Sequence, residues 1–122
     1  MIVRSDRALG VLHLRFHGTD ALDSLVAGTV KAEALALIGA DADVVVDLSG
    51  ISFLDSTGVG VLVSLFKAAR KNGRDARFAG IAPGVRSVLE VIKLDRIFDL
   101  YPDAASAAAA LRRPRTAPAA RG

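Results

Sequence analysis

The 122-residue chain contains no cysteine and only two histidines. Neither a disulfide framework nor a thiolate metal site is therefore available, and two histidines alone make a poor metal cluster. No apolar run approaches the ~20 residues of a membrane span. The first residues, Met1-Ile2-Val3-Arg4-Ser5-Asp6-Arg7, place charges where a signal peptide needs an apolar stretch, so the expected location is the cytoplasm, with no membrane partner. The nucleotide loops are missing too. Gly58-x-Gly60 lacks the third glycine of a dinucleotide fingerprint, and no Gly-Lys-Ser/Thr occurs, so no cofactor is expected.

The formal net charge of +3 is unevenly spread. Four arginines (Arg112, Arg113, Arg115 and Arg121) stand in the last eleven residues, and subtracting them leaves −1 for the remainder. The basic character belongs to a Pro/Ala/Arg segment at 112–122, read as a disordered tail behind one domain at 1–111. No aromatic residue interleaves with these arginines, which argues against direct nucleic-acid binding.

Within that domain, strand and helix patterns alternate. Leu12, Leu14 and Phe16 alternate with His13, Arg15 and His17, as in a half-buried strand; Ile2 and Val3 begin an antiparallel partner, with a turn near Leu9-Gly10. Helical spacing predicts a helix over 21–38, through Leu22, Leu25 or Val26, Val30, Ala34 and Leu37, with Thr19 or Asp20 as N-cap and Gly39 as stop. Val44 to Leu48 reads as a strand buried on both faces. Val59, Leu62, Val63 and Phe66 mark a second helix, closed by Lys67, Arg70, Lys71 and Asn72-Gly73. A strand over 77–81, a helix opening on Pro83, a short edge strand over 97–101 and an alanine-rich helix to Leu111 follow. The fold class is α/β, with a mixed, mostly parallel sheet and alternating helices.

The chemistry concentrates where the central strand gives way to the second helix, at Asp55-Ser56-Thr57-Gly58. Asp47 at a strand end raises the reading of a phosphoaccepting aspartate, but the acidic pair for Mg²⁺ is absent near Phe16-His17-Gly18. Ser56 also resembles a nucleophile elbow, yet no glycine stands two residues before it and no histidine follows it. No enzyme is expected. Ser56 remains either as a helix N-cap or as a phosphoacceptor at a helix end whose free N–H groups and dipole favour negative charge. Gly58 and Gly60 remove side chains beside it, which lets a partner approach closely.

The elements Val-Asp-Leu-Ser-Gly (46–50), Phe-Leu-Asp-Ser-Thr-Gly (53–58) and Val-Gly-Val-Leu (59–62), continued by residues 82–90 and 94–98, resemble the STAS family, in particular bacterial anti-sigma factor antagonists. The resemblance implies a phosphoprotein of transcription regulation that works by partner switching. Unphosphorylated, it binds a serine-kinase anti-sigma factor and frees a sigma factor; phosphorylated on Ser56, it lets go until a phosphatase acts. The implied partner surface comprises Asp55, Ser56, Thr57, Gly58 and Gly60, with Asp20 as first and Asp23 as second choice for a family aspartate near the serine. Lys93 stands where the family often has glycine, implying a different helix end. The alternatives are a STAS scaffold of a stress-sensing complex, or a module that binds a nucleotide or serves lipid transport; a second copy of the chain, in a homodimer, is among the candidate partners of the switch.

Overall fold

The computed structural model describes residues 1–112. Five strands form the main sheet, in the order β1 (Val3–Ala8), β2 (Val11–Phe16), β4 (Asp43–Asp47), β6 (Ala76–Ala79), β7 (Asp99–Tyr101). The β1–β2 hairpin is antiparallel and the other pairings are parallel. A separate parallel pair joins β3 (Ala21–Leu22) to β5 (Phe53–Leu54). The mixed, mostly parallel α/β sheet expected from the sequence is thus present.

Period-two side chains explain the two layers. Leu12, Leu14, Val44, Val46 and Phe78 point to one face, where they pack with residues of α1 (Ala27–Leu35), α2 (Ser56–Lys71) and α3 (Pro83–Val91). Val11, Val45 and Ala79 point to the other, where Ala107 and Ala108 of α4 (Ala104–Arg112) cover them. Small residues on both sides let this helix lie close. The central strand is buried on both faces, and its Val44–Val45–Val46 run has no alternation for that reason.

The helix expected over 21–38 is shorter than its periodicity. Ala21–Leu22 is strand, a turn follows, and helix runs only from Ala27 to Leu35. Asp23 makes the turn: its carboxylate accepts the Leu25 N–H at 3.0 Å, and its carbonyl accepts the N–H groups of Val26 and Ala27. Neither Thr19 nor Asp20 caps the helix, because both precede β3. The helix C-cap is Ala36, so Gly39 is not its stop. Val26 supplies the half-buried apolar contact, while Leu25 is 89% exposed.

Arg112, the first residue of the tail expected at 112–122, is the last residue of α4; residues 113–122 lie outside the described residues. Among the described residues, no helix is long and apolar enough to cross a membrane.

Candidate functional site

The β3–β5 pair builds the site. Its parallel register sets Ala21 beside Phe53 and Leu22 beside Leu54. At one end, the Asp20 carbonyl accepts the Ser52 N–H at 2.7 Å and the Phe53 N–H at 3.3 Å. At the other, the Leu22 carbonyl accepts the Asp55 N–H at 3.3 Å. Asp20 therefore stands alongside Ser52, and Asp23 alongside Asp55, one residue before Ser56. Both aspartates reach the site's edge through backbone pairing, and Asp23 lies nearer the serine in register.

Asp55 is the N-cap of α2, in an extended conformation. Its Oδ1 accepts the Gly58 N–H at 2.9 Å and the Thr57 hydroxyl at 2.6 Å. These hydrogen bonds, Thr57 first and Gly58 second, hold the Asp55 carboxyl below the usual carboxylate range, and the Ser24 backbone N–H adds to them. A deprotonated cap at the positive end of a helix is the stable state at neutral pH.

Ser56 is consequently not the cap. It is the first helical residue, exposed, and its hydroxyl has no hydrogen-bond partner among the described residues. Of the two readings the sequence leaves open for this hydroxyl, the capping one falls to its neighbour. Thr57 is exposed as well, but its hydroxyl is engaged.

The two glycines differ. A Cβ on Gly58 would overlap the Leu22 carbonyl oxygen and come within 2.8 Å of Leu54 Cδ1, so the absent side chain lets α2 seat against the β3–β5 pair. A Cβ on Gly60 would meet nothing within 4 Å, and the residue is exposed. Gly58 serves the fold, whereas Gly60 leaves an open stretch of helix surface one turn beyond Ser56.

Two exposed apolar residues border the site: Phe53 on β5, 54% exposed, and Leu25 in the Asp23 turn. The sequence reading assigned them no surface role. Phe53 alternates with buried Leu54, which is the only local signal that it faces outward. Among the described residues, no group of three or more acidic or histidine side chains is placed to hold a metal ion. The site combines an exposed hydroxyl that no described residue engages, open helix surface and apolar borders, an arrangement with room for another protein to approach.

Comparison with known proteins agrees with this description. Over 98 residues, covering 73% of this chain and 86% of the other, the chain is 29% identical to the anti-sigma-B factor antagonist of Listeria monocytogenes. It is 27% identical over 79 residues to the Bacillus subtilis protein of the same name, covering 65% and 72% of the two chains. The crystal structure of an anti-sigma factor antagonist from Mycobacterium paratuberculosis superposes with a TM-score of 0.79 at 26% identity, covering 91% of this chain and 93% of that one. Residues 3–107 match the family model described as the STAS domain, and the chain belongs to that family.

Proposed function

We propose that this protein is a cytoplasmic anti-sigma factor antagonist that acts by partner switching, without catalysis of its own. In its unphosphorylated form it binds a serine-kinase anti-sigma factor and thereby frees a sigma factor. Phosphorylation of Ser56 by that kinase dissolves the complex, and a phosphatase resets it. The observation that carries the reading is the Ser56 hydroxyl, exposed on the first turn of α2 and released from capping by Asp55. The relatives named as antagonists of an anti-sigma factor support the same assignment.

The physics gives the switch its direction. A phosphate adds nearly two negative charges to a surface that already carries Asp55 and Asp23. In free protein this dianion is hydrated and sits at a favourable helix end. Inside a packed interface it is desolvated, which costs several kcal/mol unless a partner cation pairs with it. The surface we assign to the kinase comprises Asp55, Ser56, Thr57 and Gly60, with Asp20 and Asp23 at its edge; buried Gly58 supports it from beneath by seating the helix. Asp23 is the more favoured of the two, because register sets it beside Asp55.

The test is a binding comparison with the cognate kinase, identified from a neighbouring gene. Ser56→Ala is expected to bind constitutively and Ser56→Asp weakly. Equal binding by the two variants overturns the proposal.

A further inference from the structure

We propose that Asp55 selects the phosphoacceptor, holding Thr57 out of the reaction and leaving Ser56 as the hydroxyl that is modified. The inference rests on the partner-switching reading and narrows it to one oxygen atom. Ser56 and Thr57 are successive, exposed residues of one helical turn, so accessibility does not distinguish them. Their hydrogen bonds do. Thr57 Oγ1 donates to Asp55 Oδ1 at 2.6 Å, and the same oxygen accepts the Gly58 N–H at 2.9 Å. The Ser56 hydroxyl has no such partner among the described residues.

Transfer from a nucleoside triphosphate requires the hydroxyl oxygen to attack the γ-phosphorus. A new O–P bond forms, the bond from γ-phosphorus to the departing nucleoside diphosphate breaks, and the hydroxyl proton passes to a base on the kinase. At Thr57 that proton is directed at Asp55, so the kinase must first break a short, charge-assisted hydrogen bond. The negatively charged phosphoryl oxygens would also arrive beside a carboxylate in contact with the attacking oxygen, which is repulsive. Asp55 is no substitute base, because its hydrogen bonds to Thr57 and Gly58 lower its proton affinity. The Ser56 hydroxyl has no protein hydrogen bond among the described residues to give up before it reacts. Asp55 is thus a positioning residue: it acts on the reaction through Thr57.

The experiment maps phosphorylation sites by mass spectrometry after the full chain reacts with its kinase and ATP. Wild type is expected to carry phosphate on Ser56, with Thr57 at trace level. Asp55→Ala frees the threonine, and its share of the label should rise about tenfold or more, the equivalent of one charge-assisted hydrogen bond. Asp55→Asn keeps an Oδ1 that accepts from both groups but carries no charge, so its Thr57 share should lie clearly below that of Asp55→Ala and above that of wild type; this partial rescue separates positioning from general loosening of the helix end. Combining Ser56→Ala with Asp55→Ala should move the label to Thr57, whereas Ser56→Ala alone stays unlabelled. Labelling confined to Ser56 in Asp55→Ala overturns the inference and leaves partner switching intact, as does Thr57 labelling in Asp55→Asn at the Asp55→Ala level. Wild-type protein unlabelled at Ser56 overturns the switching reading, and the inference with it.

Discussion

Gly58 and Gly60 lie two residues apart on one helix and answer to different constraints. Gly58→Ala forces α2 away from the Leu22 carbonyl and Leu54, an overpacking change expected to cost about 1–3 kcal/mol. Gly60→Ala adds a methyl group to open space in a helix interior and should raise stability by about 0.5–1 kcal/mol. Thermal or urea unfolding of the two variants reads both signs. If Gly60 keeps the surface open for the kinase, its alanine variant is also more stable yet binds the kinase less tightly. Asp55 adds a pH dependence. Its carboxyl is depressed in the folded protein, so its stabilising effect is complete above the unfolded value of about 4 and is lost as pH falls through the lower folded value. Unfolding measured between pH 2 and 6 should lose that increment in Asp55→Ala, and an unchanged profile would show that the cap is not contributing.

At the scale of elements, local patterns were legible where they were self-sufficient. The β1–β2 hairpin, the Val44–Val46 strand, the end of α2 at Asn72-Gly73 and Pro83 opening α3 all follow from periodicity and punctuation. The stretch from Ala21 was not legible, and the reason is physical. Leu22, Val26, Val30 and Ala34 recur every four residues and all pack on one core, although only the last two are buried helix residues. Leu22 reaches that core as strand, through pairing with Leu54, a contact that no local window contains. The exposure of Phe53 and Leu25 likewise depends on distant neighbours. Ser56, Asp55 and Thr57 could be found because the junction that defines them is contiguous; that Asp55 rather than Ser56 caps the helix needed coordinates.

Two element ends make predictions. Lys93 follows the Ile92 C-cap of α3 with a φ of 65°, the left-handed conformation that glycine adopts freely and other residues at a cost of about 1–2 kcal/mol. At the position where the sequence departs from glycine, Lys93 thus takes the conformation that glycine most readily supplies at a helix end. Lys93→Gly should stabilise the protein by about 1 kcal/mol in chemical unfolding. At the start of β1, Glu33 Oε1 on α1 accepts the N–H groups of Ile2 and Val3 at 2.9 and 2.8 Å. Glu33→Ala should cost about 1–3 kcal/mol and speed amide exchange at Val3, because both donors lose a charged acceptor.

Across the whole molecule, the site and the densest ion-pair network occupy opposite ends of the parallel strands. Arg77 bonds Asp75 at 2.9 Å and the Tyr101 hydroxyl at 2.5 Å and pairs with Asp99 at 3.3 Å, near the beginnings of β6 and β7. Burial opposes its charge, and the Asp75 and Asp99 carboxylates outweigh that effect and raise its pKa above the usual guanidinium value. Removing it strips a mostly buried carboxylate of its main cation, so Arg77→Ala should lose about 3 kcal/mol of stability. The ratio of kinase affinities before and after phosphorylation should stay the same in that variant at a temperature where it is folded, because the proposed switch lies at the other end of the sheet. On the proposed reading the fold is a frame that displays one hydroxyl, and phosphate would alter the interface without dismantling the frame. Calorimetric titration of the cognate kinase with stoichiometrically phosphorylated and unphosphorylated protein, after amide NMR spectra establish that both are folded, tests that claim most directly. The account predicts at least about a hundredfold loss of affinity on phosphorylation with spectral changes confined to residues around Ser56; equal affinities, or a fold that collapses when Ser56 is phosphorylated, would contradict it.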